Sequence, residues 1–185
     1  VEFKPQEVIA DLSDLSLLLK FMSVCPIADT DLEKLFKKLR TNLLLSINEI
    51  DNSPEVFKVQ SSLALQCFTN EYIYEQSEDE EKALELLEEL IKQSLNNNNQ
   101  PSSQKILCLA SYKSLNDYEW SNSLIVTDEI KDVFTRQVTE PKIENNLKQS
   151  LPLLENITNN ISSKVKVQDE TSPYPKWVNL RLQLK

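Results

Sequence analysis

The chain has 185 residues, a formal net charge of −9, no glycine and no histidine. Without glycine it cannot form phosphate-cradling loops, dinucleotide-binding fingerprints or nucleophile elbows, whose backbones need a positive φ or a close approach to a ligand. Without histidine it lacks the commonest general base and metal ligand near neutral pH, and its negative charge argues against nucleic acid and anionic membranes as partners. The residues alone therefore predict a soluble helical module without a catalytic site.

Targeting and redox signals predict a cytoplasmic protein. No apolar run approaches the roughly 20 residues that cross a bilayer, and the N-terminus lacks the pattern of a secretion signal. Cys25, Cys67 and Cys108 are odd in number and far apart in apolar surroundings, which is typical of reduced core cysteines and not of a metal site. Because the chain starts at Val1 and stops within what resembles a new segment, we expect it to be a piece of a longer protein.

Helical periodicity begins near the N-terminus. An apolar stripe from Leu12 to Met22 predicts a first helix that ends at Pro26. A capping box that opens at Thr30 predicts the start of a second helix. We expect the leucine runs at residues 17–19 and 43–45 to be buried helix faces.

The middle of the chain predicts two longer helices. Ser53 before Pro54 signals the start of a third helix, whose apolar residues occupy more than one face as far as Tyr74. A helix of this kind is surrounded by others, so we expect it to be central. Ser77 opens a fourth helix whose inward face includes Leu90, and a polar loop follows at residues 96–103.

The elements become shorter towards the C-terminus. The pattern predicts a helix at residues 106–112, a turn at 117–122, a helix capped by Thr127, a restart at Pro141 and a last helix at 157–165. Residues 178–184 alternate like a β-strand that has no partner. The predicted fold is all-α, with seven to eight helices in a bundle or a helical-repeat-like array and an extended C-terminal tail. We place the helical domain at residues 1–172 and the extended connector at residues 173–185.

Two groups of side chains are candidates for a binding surface. Asn70 and Glu71 lie in the most apolar helix, and because buried polar side chains need hydrogen bonds, we expect them to hold a neighbouring helix end or loop. Contact with a partner or a missing domain is the alternative. Tyr112, Tyr118 and Trp120 surround a turn, where they predict a hydrophobic lid on the bundle or, if Trp120 is exposed, a binding surface.

Three stretches occur in an order that resembles a known family. They are residues 67–74 (CFTNEYIY), 136–141 (RQVTEP) and 165–177 (VKVQDETSPYPKW). Together they resemble the helical middle region of bacterial proteins in which tetratricopeptide repeats precede an S-adenosylmethionine-dependent methyltransferase domain. Asp169 stands where the family has an aromatic residue, and residues 171–172 are Thr-Ser where the family has Glu-Asn.

The resemblance implies a parent protein that is a class I methyltransferase of unknown substrate. Its S-adenosylmethionine would bind to a glycine-rich loop, and since this chain has no glycine, we expect no cofactor to bind here. The favoured hypothesis is a non-catalytic helical accessory module that packs on the methyltransferase domain, and the alternative is a stand-alone module that binds a protein partner. A homodimer through the C-terminal tail is a further option. The candidate docking or partner-binding residues are Asn70, Glu71, Tyr72, Tyr112, Trp120, Tyr174, Lys176 and Trp177.

Overall fold

The computed structural model describes residues 4–150 and 164–166. These residues are helical or irregular and include no strand, which confirms the predicted all-α fold class. Eight α-helices lie between residues 5 and 150: α1 Pro5–Asp14, α2 Ser16–Val24, α3 Thr30–Leu45, α4 Pro54–Thr69, α5 Glu78–Asn96, α6 Ser103–Ala110, α7 Lys131–Phe134 and α8 Glu140–Ser150. Two 3₁₀ turns, Leu115–Asp117 and Glu119–Ser123, separate α6 from α7, and a π-helical turn, Thr135–Thr139, joins α7 to α8.

The first six helices pack in two layers. Helices α1, α3 and α5 follow one another in one layer, and α2, α4 and α6 follow one another in the other. Helix α4 also contacts α1 and α7, and ten of its residues are buried, so the prediction that this helix is central is confirmed. It supplies Leu63 to the core formed with α1, α2 and α3, and Ala64 to the core formed with α5, α6 and α7.

The helix starts follow the predicted caps with one change. Ser53 Oγ accepts a hydrogen bond from the backbone N–H of Val56, and Ser77 closes a capping box with Glu80. Helix α3, however, is capped by Asp29, whose carboxylate accepts hydrogen bonds from the backbone N–H groups of Asp31 and Leu32. The predicted box at Thr30 is wrong because Asp29, one residue earlier, is the N-cap and Thr30 is already the first residue of the helix.

The predicted first helix is divided in two. Leu15 leaves the helical region with a ψ of 61°, so α1 ends before it and α2 begins after it. The Nζ of Lys58 in α4 donates a hydrogen bond of 2.6 Å to the carbonyl of Ser13. A side chain from another helix thus satisfies a carbonyl that a continuous helix would have used itself.

Several leucines that were predicted to be buried are exposed. Leu19, Leu43 and Leu44 lie in the core as expected, but Leu17 and Leu45 do not. Leu90 is also exposed, so its assignment to the inward face of α5 is wrong.

The C-terminal helices start at different residues from those predicted. Ile130, and not Thr127, is the N-cap of α7, whereas α8 begins at Glu140, one residue before the restart that Pro141 predicts. The π-helical turn leads from α7 into α8, and Pro141, which has no N–H for a helical hydrogen bond, lies in the first turn of α8.

The chain divides into two compact units, Val1–Lys142 and Ile143–Lys185. In the second unit, the described part of α8 exposes Ile143 and Leu147, and residues 164–166 form a helical turn. The rest of the predicted helix at 157–165, the boundary at residue 172, the connector and the strand at 178–184 lie outside the described residues. Between residues 4 and 150, and in the turn at 164–166, no helix combines the length and apolarity needed to cross a bilayer.

Candidate functional site

The turn after α4 contains three of the predicted site residues. Helix α4 ends at Thr69 with Asn70 as its C-cap, before the point that its apolar pattern predicts. Glu71 and Tyr72 then adopt φ values of 61° and 57°. This left-handed conformation costs a non-glycine residue roughly 1–2 kcal/mol, so a chain without glycine builds the turn from strained residues.

Hydrogen bonds hold this turn in place. The backbone N–H of Tyr72 donates to the carbonyl of Cys67 at 2.8 Å and to Asn70 Oδ1 at 3.2 Å. The Tyr72 hydroxyl donates to the carbonyl of Ala110 at 3.3 Å. Asn70 is half-buried and stabilises the turn, whereas Glu71 is exposed, so the expectation that Glu71 is buried is wrong.

A buried charged cluster joins α3 to α5 and to the segment that follows the turn. It consists of Arg40, Thr41, Tyr74, Glu80 and Tyr112. Arg40 is 1% exposed, and its Nη2 lies 3.6 Å from Glu80 Oε1. The same nitrogen donates to the carbonyls of Tyr74 at 3.3 Å and Glu75 at 3.0 Å, so the guanidinium anchors the segment that follows the strained turn.

The guanidinium of Arg40 also lies between two aromatic rings. Its carbon is 4.2 Å from the centre of the Tyr112 ring and 5.6 Å from that of Tyr74. Nε and Nη1 have no hydrogen-bond acceptor among the described residues. The electron-rich ring faces therefore supply part of the stabilisation that acceptors would otherwise give a buried cation.

Glu80, which is 2% exposed, is the anion of the cluster. Its Oε1 accepts from the Tyr112 hydroxyl at 2.7 Å and from Thr41 Oγ1 at 2.8 Å, and its Oε2 accepts from the backbone N–H of Ser77 at 2.9 Å. Burial alone would raise the pKa of Glu80, but these hydrogen bonds and the charge of Arg40 together hold that pKa below its ordinary value.

The phenol of Tyr112 has the opposite shift. Burial, followed by the hydrogen bond to Glu80, raises its pKa. At neutral pH the Glu80 carboxylate is thus ionised and the Tyr112 phenol is protonated, and the phenol donates its hydrogen bond to the carboxylate. The cluster therefore links α3, α5 and Tyr112 inside the fold.

Two of the three cysteines are buried and offer no thiolate near neutral pH. Burial raises the pKa values of Cys67 and Cys108 to about 12, so both thiols remain protonated. All three cysteines are free, and Cys25 is half-buried. In residues 4–150 and 164–166 no group of three acidic or cysteine side chains is arranged to hold a metal ion.

Two aromatic residues of the second 3₁₀ turn and its N-cap form a lid on the core. Tyr118 and Trp120 stack with their ring centres 4.7 Å apart, and both pack partly buried against the core. The Tyr118 hydroxyl donates to Glu88 Oε1 at 2.7 Å, and the Nζ of Lys113 donates to the same oxygen at 2.6 Å. The half-burial of Trp120 agrees with the lid interpretation, while Tyr112 belongs to the charged cluster instead.

The structure thus distributes the predicted site residues over three places. Asn70, Glu71 and Tyr72 share one turn, Tyr112 lies in the charged cluster, and Trp120 lies in the lid. Tyr174, Lys176 and Trp177 lie outside the described residues.

An apolar groove between α3 and α5 was not predicted. It has a volume of about 240 Å³. Leu86 is 68% exposed, Leu45 53% and Leu90 47%, although all three are large aliphatic side chains. We call this surface the leucine groove; its lining residues are Leu44, Leu45, Ile47, Asn48, Ala83, Leu86, Leu87, Leu90 and Lys105.

The sequence of α5 contains the signal for this groove. Leu84, Leu87 and Ile91 form the buried stripe of the helix. A second stripe of Ala83, Leu86 and Leu90 lies beside it at the same helical spacing. The apolar surface of α5 is therefore wider than the part that its neighbouring helices cover. The sequence analysis did not predict the groove, because it left Leu86 out of the apolar face and assigned Leu90 to the core.

A second concavity is larger but more polar. It has a volume of about 500 Å³ and lies between the start of α4 and the segment before α7. Asp128, Glu129 and Asp132 expose carboxylates there, and Lys58 is already bonded to the carbonyl of Ser13. With Phe57 and Pro54 as its only large apolar lining residues, this cleft resembles a solvated surface more than a binding pocket.

Comparison with known proteins finds no matching family model, no similar curated protein and no similar solved structure. The relationship to the tetratricopeptide–methyltransferase proteins therefore stays a prediction from three stretches of sequence.

Proposed function

We propose that this chain is a non-catalytic helical module that binds a protein partner through the leucine groove. The observation that carries the proposal is the exposure of Leu45, Leu86 and Leu90 around one concavity. Single exposed leucines are common on soluble proteins, but a contiguous apolar patch that lines a groove is typical of an interaction site.

The size of the groove favours side chains over a small-molecule ligand. At about 240 Å³ it is smaller than the roughly 300–1,000 Å³ of most ligand and cofactor pockets. One wall is α5, and the other is the end of α3 with the turn that follows it, with Lys105 of α6 at the side. An apolar groove along a helix can accept an amphipathic partner helix with aliphatic anchors at spacings of three and four residues. A partner helix that inserts two such anchors would cover the exposed leucines.

The resemblance supports a more specific form of this proposal. In that form the chain is an accessory region of a bacterial S-adenosylmethionine-dependent methyltransferase, and its partner is the methyltransferase domain. Tyr174, Lys176 and Trp177 would then belong to the docking segment. The alternative is a stand-alone interaction module with a separate protein partner.

A peptide selection tests the groove directly. Random peptides of about 16 residues would be displayed on phage and selected against the full chain, and we expect enrichment of amphipathic sequences with aliphatic anchors. Leu86→Lys should weaken the binding of the selected peptides by about tenfold or more, as expected for a central apolar contact. The matched control is Leu17→Lys, because Leu17 is equally exposed but lies on α2. Equal losses in the two variants would contradict the proposal.

The cofactor expectation has its own test. Isothermal titration of the full chain with S-adenosylmethionine should give no binding heat, because the sequence has no glycine to form the loop that holds this cofactor. Saturable binding would show that the chain is more than an accessory module.

A further inference from the structure

Lys105 is the charged residue of the leucine groove. Among the described residues that line the groove, Asn48 is the other polar one and the rest are apolar. Lys105 is half-buried, and within residues 4–150 and 164–166 its Nζ has neither a salt bridge nor a hydrogen-bond acceptor. A lysine stem packs against apolar surface while its ammonium stays in water. A partner that covers the groove therefore removes water from this ammonium, at a cost in free energy unless the partner supplies an acceptor.

Lys105 differs in this respect from the other described lysines. Lys37 and Lys142 are half-buried as well, but Lys37 forms a salt bridge to Glu75 and Lys142 donates to Asn122. The lysines without a bonded partner in residues 4–150 and 164–166 are otherwise exposed: Lys20, Lys82, Lys92, Lys131 and Lys164. Lys105 thus combines partial burial with a charge that the described chain leaves unpaired.

The position of Lys105 in α6 also opposes the local preference for charge. Ser102 is the N-cap of α6, and its Oγ accepts from the backbone N–H of Lys105 at 3.4 Å, so Lys105 lies in the first turn. A glutamate at this position would complete a capping box and favour the positive end of the helix dipole, whereas a cation is unfavourable there. Helices α3, α4 and α5 have acidic residues in their first turns, and α6 has none. The stability of α6 therefore does not explain a lysine at this position.

We propose that Lys105 forms a salt bridge with a carboxylate of the partner helix, so that the groove selects an amphipathic helix with an Asp or Glu beside its aliphatic anchors. This inference rests on the proposed function of the leucine groove. Leu86 and Leu90 bind aliphatic side chains, which many amphipathic helices supply. Lys105 disfavours a partner that leaves the ammonium unpaired or brings a second cation, and it thereby supplies specificity.

Peptide selection against the wild type and two charge variants of the full chain tests this role. Random peptides of about 16 residues would be displayed on phage. The wild type should enrich Asp or Glu at a fixed spacing from the aliphatic anchors, and Lys105→Glu should enrich Lys or Arg at that position. Lys105→Glu should remain folded by circular dichroism, because glutamate suits the start of α6.

The matched control is Lys92→Glu. Lys92 is exposed on α5 and does not line the groove, and its substitution changes the net charge by the same amount as Lys105→Glu. This variant should enrich the same peptides as the wild type. Enrichment of basic peptides by Lys92→Glu as well would mean that net charge, and not Lys105, selects the partner, and would overturn the inference.

The salt bridge itself is measured with synthetic copies of the peptides selected on the wild type. Replacing the enriched acidic residue by its amide should weaken binding to the wild type by about three- to tenfold and leave binding to Lys105→Met nearly unchanged, as followed by fluorescence anisotropy. An equal loss of affinity for both proteins would show that the carboxylate does not pair with Lys105.

The inference and the proposed function fail in different ways. Peptides that lose affinity for Leu86→Lys but have no acidic residue at a fixed position would overturn the role of Lys105 and leave the groove as a binding site. A selection that gives no peptide sensitive to Leu86→Lys would contradict the proposed function, and this inference with it.

Discussion

The two ends of the α3–α5 helix pair treat charge and apolar surface in opposite ways. At one end Arg40 and Glu80 are buried, and at the other Leu45, Leu86 and Leu90 are exposed. Each end reverses the usual distribution of residues between core and surface. At the charged end, the Glu80 carboxylate accepts hydrogen bonds from within the chain. Arg40 contacts that carboxylate, two backbone carbonyls and two aromatic rings. At the leucine end, the three leucine side chains remain exposed.

The two ends therefore have different roles: the charged end supports the fold, and the leucine end is the proposed binding surface. Removing one partner of a buried ion pair leaves an uncompensated charge, so Arg40 and Glu80 hold α3, α5 and the segment after α4 in one arrangement. Exposed leucines add little to the stability of the chain itself. They are explained by a surface that becomes buried when a partner binds.

The largest expected effect comes from breaking the charged end. Arg40→Met leaves the Glu80 carboxylate buried without its cation, so the free energy of unfolding in urea should fall by about 3–5 kcal/mol. Lys37→Met is the matched control, because it breaks an exposed salt bridge to Glu75 and should cost less than about 1 kcal/mol. The double variant Arg40→Met/Glu80→Leu should be more stable than Arg40→Met alone. A loss within 1 kcal/mol for Arg40→Met would mean that the cluster does not support the fold.

The next effect distinguishes the two stripes of α5. Leu84→Ala removes a buried side chain and should cost about 2–5 kcal/mol, whereas Leu86→Ala should change the free energy of unfolding by less than about 0.5 kcal/mol. Both free energies come from urea unfolding followed by fluorescence. A loss for Leu86→Ala as large as that for Leu84→Ala would show that the leucine groove belongs to the core.

Two buried glutamines give a smaller, paired prediction. Gln60 is fully buried, and neither atom of its amide has a hydrogen-bond partner among the described residues, so Gln60→Leu should raise the free energy of unfolding by about 1 kcal/mol. Gln137 is equally buried, but it accepts from the N–H of Leu115 and donates to the carbonyls of Ala64 and Ala110. Gln137→Leu should therefore lower the same free energy by about 1–3 kcal/mol. Thermal unfolding of the two variants side by side checks the signs, and two shifts of the same sign would refute the contrast.

The smallest effect is a dependence on pH. The pKa of Glu80 is lowered from its ordinary value of 4.5 in the folded protein, so the ionised carboxylate stabilises the fold fully above that value. The stabilisation is lost as the pH falls below 4.5 through the lowered pKa of the folded state. The difference in unfolding free energy between the wild type and Glu80→Gln should therefore shrink between about pH 5 and about pH 3. A difference that stayed constant over that range would mean that the pKa of Glu80 is not lowered.

The sequence predicted those parts of the fold that depend on local signals. The all-α class, the caps at Ser53 and Ser77 and the central position of α4 follow from residues within one or two helical turns of each other. The break at Leu15 could not be predicted, because it involves a lysine 45 positions away from the carbonyl it binds.

The candidate site depended on long-range contacts and was only partly predictable. Tyr112 was singled out as a candidate docking residue, but it is buried, and nothing near it in the sequence indicates that it binds Glu80, 32 positions earlier. Arg40 appears in the sequence as an ordinary surface residue of an amphipathic helix. The leucine groove depends on how much of α5 its neighbours cover, which the periodicity of α5 alone does not specify.

The central claim is that the leucine end of the α3–α5 pair binds a partner. The most direct measurement is a methyl NMR titration of the full chain, labelled at leucine, with a selected amphipathic peptide. The account predicts that the methyl signals of Leu45, Leu86 and Leu90 shift together and saturate, while those of Leu84 and Leu17 stay in place. Saturating shifts at Leu17 with none at Leu86, or no shifts at all, would contradict it.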